Sequence, residues 1–273
     1  MSKKQLYVIR IAAIVALGGF LLGFDASVIS GVVKFIEPEF NLTKIELGWA
    51  VSSITLTAAL GMMIAGPMSD KYGRRKLLKY AAILFTVSAV GSALAGTFFW
   101  LIIFRMIGGL AVGAALIIAP MYIAEVAPPE KRGQLVSFNQ LNIVIGISIA
   151  FFTNYLILQW GNSDAEWTKT LGFGKWNWRW MLGLEALPAI LYYLGLFMVP
   201  RSPRWLMTQN RKDEALAVMK KVVSDDDANS QLNEVEQSIT EDKNKEKSKL
   251  GDLFKKNMRK VIVIGLIVGI FQQ

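Results

Sequence analysis

Gly66-Pro67-Met68-Ser69-Asp70-Lys71-Tyr72-Gly73-Arg74-Arg75-Lys76 is a short, glycine-punctuated and strongly basic connection between two long apolar blocks, Leu47 to Met68 and Leu77 to Ala95. An apolar helix needs about 20 residues to cross the hydrocarbon core of a bilayer, and each flanking block has that length. A connection this short forces the two helices to run antiparallel as neighbours. Its five cations, counting Lys79 just beyond it, mark the side of the membrane on which it lies, because Lys and Arg are retained on the cytoplasmic face.

Outward from this loop the pattern repeats. Further blocks span Tyr7 to Val33, Phe98 to Ala124, Leu135 to Leu158 and Trp178 to Val199, and a seventh begins at Val261 and is cut off at Gln273. Gly96 and Thr97 make another tight connection. The clusters Lys3, Lys4 and Arg10, Lys71 to Lys79, and Lys131 with Arg132 all fall on one side. The other side carries Lys34, Lys44, Lys169, Lys175 and Arg179, offset by Glu37, Glu39, Glu46, Asp164 and Glu166. This predicts a multi-pass protein of the cytoplasmic (inner) membrane with its N-terminus in the cytoplasm.

The composition agrees. Of 273 residues 53% are hydrophobic, the mean hydropathy is +0.39, and the apolar residues come in blocks rather than amphipathic periods. Cys and His are both absent, which removes disulfides, zinc clusters and Ser-His-Asp or Cys nucleophile chemistry; no enzyme, metal or cofactor is expected. The net charge of +9 lies between spans instead of along one polar face, so it reads as an orientation signal and nucleic acid is not expected as a partner. The first apolar block is too long for a signal peptide and is expected to stay as a span.

Residues 201 to 260 are long, charged and of mixed sign, and predict a connector on the basic side. Ser202 followed by Pro203 is a helix start, with the hydroxyl as N-cap and the proline at the first helical position. Ala215, Leu216, Val218, Met219, Val222 and Val223 recur with helical spacing, so short amphipathic helices are expected, with Asp225 to Ser230 and Glu241 to Lys249 as solvated turns or linkers.

Charges inside a span are costly and ask for a partner or a purpose. Asp25, Arg105, Glu185 and, nearer the inner edge, Glu125 qualify. With a rise of 1.5 Å per residue and alternating span direction, Asp25 lies about 12 Å from the outer end, and Arg105 and Glu185 about 10 Å, so the three share one layer. Burial favours a neutral Asp25 whereas a guanidinium beside it favours the carboxylate, and Arg105 stays charged at any working pH. A movement that separates and rejoins the two would take up and release a proton. The alternative is a static pair that fixes the first span on the fourth; for Glu185 a structural hydrogen bond is favoured over a proton role. Gly18, Gly19, Gly23, Gly31, Gly108, Gly109 and Gly113 offer small surfaces for close helix approach, and Gln140, Asn142, Gln272 and Gln273 are amides that can serve as interhelical glue or bind a hydroxyl-rich ligand.

The loop at Gly66 to Lys76 resembles the Gly-x-x-x-Asp-Arg/Lys-x-Gly-Arg-Arg/Lys signature of the major facilitator superfamily, with Asp70 accepting hydrogen bonds and Arg74 and Arg75 binding carboxylates as a latch. Gly23-Phe24-Asp25, Arg105 with Gly109 and Gly113, Pro120 to Glu125 before Arg132-Gly133, and Ser137 to Gln140 narrow the resemblance to the sugar porter family. Trp178-Arg179-Trp180, Pro200 to Leu206 and Phe271 to Gln273 extend it over nearly the whole chain. The chain is similar to the bacterial xylose:proton symporter type.

That resemblance implies an all-α membrane fold: a six-helix N-terminal bundle (1–200) of two inverted three-helix repeats, a helical connector (201–260) and the start of a seventh span (261–273). It implies sugar transport coupled to protons, by alternating access against a missing C-terminal six-helix half or second half-transporter. Asp25, Arg105 and Glu185 take the proton-coupling roles, Gln140, Gln272 and Gln273 the sugar-binding roles, and Asp70, Arg74, Arg75, Glu125, Arg132 and Arg204 the inner charge network. A facilitative uniporter, a non-transporting sugar receptor and an inactive fragment are the alternatives. Arg201 departs from the family pattern, which has Glu there, and puts one inner ion pair in doubt.

Overall fold

The structure, a computed structural model, describes residues 3–244 together with 260, 262–265 and 267. Every regular element among them is helical. The long helices are α1 (Lys3–Glu39), α2 (Lys44–Tyr72), α3 (Arg74–Ala93), α4 (Phe98–Val126) and α5 (Arg132–Gly161), the last preceded by a 3-10 turn at Pro129–Lys131. These five are long and apolar enough to cross a membrane. A short α6 (Glu166–Thr170) is followed by α7 (Asn177–Gly183) and α8 (Ala186–Gly195), then by α9 (Pro203–Thr208), α10 (Lys212–Val222) and α11 (Asp225–Asn244).

Two expectations are corrected here. The sixth apolar block is not one continuous helix: it breaks at Leu184 and Glu185, between α7 and α8. Pro188 has no N–H and its ring clashes with the carbonyl four residues earlier, that of Leu184, so the helical ladder fails at that residue. Short-range bonds bridge the gap, Glu185 N–H to the Leu182 carbonyl at 3.4 Å and Leu187 N–H to that of Leu184 at 3.2 Å. The acidic run from Asp225 is helix instead of turn. The Ser224 hydroxyl oxygen accepts from Asp227 N–H at 3.3 Å, and Asp225 and Asp227 in the first turn suit the positive end of the helix macrodipole. Of the expected second linker, residues 241–244 are helix, the end of α11, and 245–249 lie outside the described residues, as does most of the seventh block, including Gln272 and Gln273; 260, 262–265 and 267 are helical.

The described chain forms two compact units, Met1–Leu232 and Asn233–Gln273. Within the first, α1 packs on α5, α2 on α4, and α3 on α4 and on the two pieces of the sixth span. The pairs α1–α5 and α4–α2 are copies of one another. Gly18, Gly19 and Gly23 on α1 reappear as Gly108, Gly109 and Gly113 on α4, 90 positions later. A Cβ at Gly23 would run into the backbone of Ile143 and Ile147 on α5, and one at Gly113 into Ala58 and Met62 on α2. In the reverse direction Gly146 faces the Phe20 carbonyl and Gly61 that of Leu110. Phe20 and Leu110 differ by the same 90 positions, and Gly61 and Gly146 by the same 85 that separate Ala58 from Ile143. Because the copies are offset by three spans, the second runs opposite to the first, which makes the bundle a pair of inverted three-helix repeats. Backbone contact this close is available only where Cβ is missing, and it substitutes for the hydrophobic drive that lipid does not supply.

Two apolar clusters fill the bundle. One, toward the basic end, gathers Val8 to Leu21 of α1 with Leu77 to Phe85 of α3 and Ala111 to Val126 of α4. The other gathers Phe24 to Ile36 with Leu101 of α4 and Trp178 to Leu182 of α7. At that second end Trp178 donates to Glu39 at 2.5 Å and Arg179 pairs with Glu39 at 3.2 Å, tying α1 to the sixth span. Substituting Gly23 or Gly113 by Val is expected to lower the bundle's stability by about 1–3 kcal/mol through overpacking. Gly48→Ala, inside α2 at a site with nothing within 4 Å, should not lower it and is expected to raise it by about 0.5–1 kcal/mol. Unfolding midpoints of the purified chain in detergent check both.

Candidate functional site

The seam between the two apolar clusters holds the charges. Asp25 is 2%, Arg105 1% and Glu185 2% exposed. Arg105 Nη1 approaches Asp25 Oδ1 at 3.5 Å, and its Nε donates to the Ala50 carbonyl on α2 at 3.0 Å. The guanidinium is thus anchored on backbone on one side and faces a carboxylate on the other. Glu185 sits at the break in the sixth span and interacts electrostatically with both. The shared depth expected from span direction is therefore matched by a shared location.

Gly108 explains how α4 comes so close. A Cβ there would lie 3.2 Å from Asp25 Oδ2 and would collide with the Ser88 hydroxyl. Asp25 Oδ2 and Glu185 Oε1 are buried oxygens without a hydrogen-bond partner among the described residues. Burying such an oxygen as an anion is expensive, whereas a carboxylic acid can place its proton on it. Arg105 cannot take part in proton exchange, since its guanidinium does not titrate. The arrangement offers one fixed cation and two acids able to change charge beside it.

A second group of charges lies at the basic end. Arg74 is anchored three ways: to Glu125 at 3.1 Å, to Asp70 at 2.9 Å and to the Ser69 carbonyl at 3.1 Å. The other oxygen of Glu125 accepts from the Ser202 hydroxyl at 2.5 Å, and Arg204 also acts on Glu125 electrostatically. Trp205 donates to the Asp70 carbonyl at 3.0 Å and covers Gly73, whose positive φ of 90° separates α2 from α3. Tyr122 donates to the Pro200 carbonyl at 2.8 Å. The loop after α2, the end of α4 and the start of α9 are thereby clasped together.

Two members of the expected network behave differently. Arg75 binds no carboxylate among the described residues; it donates to the carbonyls of Leu196 and Phe197, both at 3.0 Å, capping the end of the sixth span. Arg132 is exposed at the start of α5 and forms no ion pair among the described residues. Gln140 is exposed on α5 away from the buried charges, and Asn142 returns its amide to the Phe138 carbonyl of its own helix. Ser202 and Tyr122 were not expected at this clasp. The capping pattern at Ser202 was a signal for one of its bonds, and nothing local signalled the other.

A family model described as sugar (and other) transporter matches residues 11–273. The chain belongs to this family. It is 42% identical over 263 residues to the D-xylose transporter of Levilactobacillus brevis, covering 94% of this chain and 53% of that one. It is 38% identical over 272 residues to the arabinose-proton symporter of Bacillus subtilis, covering 100% and 56%. Among solved structures it matches the partially occluded inward-open form of the xylose transporter XylE from E. coli with a TM-score of 0.82 at 36% identity, over 98% of this chain and 63% of that one. The chain spans about half the length of the curated relatives it matches.

Of the charges at the two depths, the buried pair of Asp25 and Arg105 is the one whose removal should cost most. Asp25→Leu leaves a buried guanidinium that cannot neutralise itself, at an expected cost of about 3–5 kcal/mol. The double variant Asp25→Leu with Arg105→Leu should recover most of that loss. Chemical denaturation of the single and double variants checks the pair, and full additivity would show that the two do not interact.

Proposed function

We propose that this chain is the N-terminal half of a secondary active sugar transporter in the cytoplasmic membrane, coupled to protons by alternating access. The observation that carries the reading is the buried contact of Asp25 with Arg105, with one carboxylate oxygen of Asp25 left unpaired. In this reading residues 1–200 are the membrane bundle, 201–260 a cytoplasmic connector and 261–273 the start of a seventh span, with the N-terminus inside.

Protonation of Asp25 releases it from Arg105 and accompanies loading of sugar and proton; renewed contact drives the proton off. Glu185 responds to the same cation from the broken sixth span. Gln140, with no hydrogen-bond partner among the described residues, is on the open face of α5, where an amide can exchange hydrogen bonds with sugar hydroxyls; Gln272 and Gln273 complete that set. Asp70, Arg74, Glu125 and Arg204 stand as the inner charge network, with Arg75 holding the end of the sixth span beside it; Arg132 lies outside it. The names of the relatives, which include sugar-proton symporters, support the substrate class. Their greater length supports a second six-helix half as partner.

The test uses the chain co-expressed with the C-terminal half of a related transporter, in vesicles with an imposed proton gradient. Asp25→Asn is expected to abolish accumulation of labelled pentose or hexose against its gradient, which one coupled proton would otherwise raise by about 50-fold per 100 mV, while equilibrium exchange continues. Accumulation unchanged by the substitution would overturn proton coupling through Asp25 and leave facilitative transport. Uptake by the chain alone, equal to that of the paired halves, would overturn the need for a second half.

A further inference from the structure

The basic end carries a feature that the charge clasp does not use. A cavity of about 570 Å³ opens beside the start of α3 and is lined by Lys71, Arg75, Lys76, Lys79, Arg201 and Arg211, together with Arg74, and by no carboxylate among the described residues. Arg74 is neutralised by Glu125 and Asp70, and Glu214 pairs with Arg211 and lies 4.0 Å from Arg201. Lys71, Arg75, Lys76 and Lys79 have no carboxylate partner among the described residues. Instead Lys76 lies over the rings of Tyr72 and Tyr80, and Lys79 over that of Phe197 at 3.2 Å from its centre. Such contacts hold a cation in place without cancelling its charge.

The cavity also receives a helix end. Gly73 precedes α3 and provides no side-chain cap, so the first N–H groups of a 20-residue helix point to this side. A helix N-terminus with several cations around it is suited to a phosphate group.

The surroundings say which kind of phosphate. Along α3, Lys76, Tyr80, Ile83, Val87 and Val90 are exposed at alternating spacings of four and three, which is one face of the helix. That face is cationic at the cavity and apolar beyond it. Phe197 of the sixth span, 54% exposed, lines the same cavity. A free anion has no use for the apolar ridge, whereas acyl chains do.

We infer that this cavity holds the phosphate of an anionic phospholipid headgroup, its acyl chains lying along the exposed faces of α3 and the sixth span. Basic pockets between membrane helices are suited to such headgroups. Arg201 adds a cation to the rim. Occupancy would link the α2–α3 loop to α9 through charge on the lipid, without touching Asp25.

The experiment uses the full 273-residue chain, reconstituted in nanodiscs of equal parts phosphatidylglycerol and phosphatidylcholine and released for native mass spectrometry. Retained phosphatidylglycerol should exceed phosphatidylcholine on the order of tenfold, and the double substitution Lys79→Gln with Arg201→Gln should remove most of that preference. Lys79→Arg, which keeps the charge, should retain it. If the double variant loses its helical circular dichroism, the unmodified chain decides: equal retention of the two lipids overturns the proposal. So does displacement of phosphatidylglycerol by millimolar inorganic phosphate, which would assign the cavity to a free anion. Preference unchanged in a folded double variant also overturns it.

Discussion

A guanidinium that cannot lose its charge, held where water does not reach, sets the terms for the rest of this molecule. Arg105 must find a carbonyl and a carboxylate within its own reach, and the Ala50 backbone and Asp25 supply them. That requirement brings α1, α2 and α4 to one point, and the glycines of the repeated segments allow it: side chains at Gly108, Gly109 or Gly113 would displace the partners by their bulk. Packing and chemistry are therefore one problem here. Closeness of helices, achieved by removing side chains, is what makes a charged residue tolerable in the interior.

The repeat is symmetric in its packing and asymmetric in its chemistry. Counterpart glycines face counterpart carbonyls in the α1–α5 and α4–α2 pairs, yet the position 90 residues after Asp25 is Ala115, and 90 before Arg105 is Val15. The first repeat contributes Asp25 to the seam, and the second contributes Arg105. Glu185 adds a second acid at the one place where the sixth span is broken by Pro188, where irregular backbone lines protein rather than lipid.

The second set of charges performs a different task. Arg74, Glu125, Asp70 and Ser202 join three segments that are far apart in sequence, and they lie close enough to solvent for rearrangement to cost less than it would at the seam. The side-chain exposure of Asp70, at 72%, shows that its share of the network is weakly held. A bundle with one deep, tight pair and one shallow, multi-membered clasp can loosen at the basic end while its interior stays joined.

Most of the spans were legible because apolar length is a local property, and so was the depth of the buried charges, which follows from counting residues along a helix. The break at Leu184 could also have been read, since Pro188 alone dictates it. The acidic run at Asp225 was ambiguous, because solvated helices and linkers share a composition and only the cap at Ser224 separates them. Depth, however, fixes one coordinate of a side chain and leaves its direction around the helix open. That direction depends on which faces meet, and so only the tertiary structure decided that Asp25 meets Arg105, that Arg75 caps the sixth span instead of binding an acid, that Ser202 reaches Glu125, and that Arg132 stands apart. The sequence determined how many times and how deeply the chain enters the bilayer; the close approach of helices through their glycines determined which charges, once inside, would find each other.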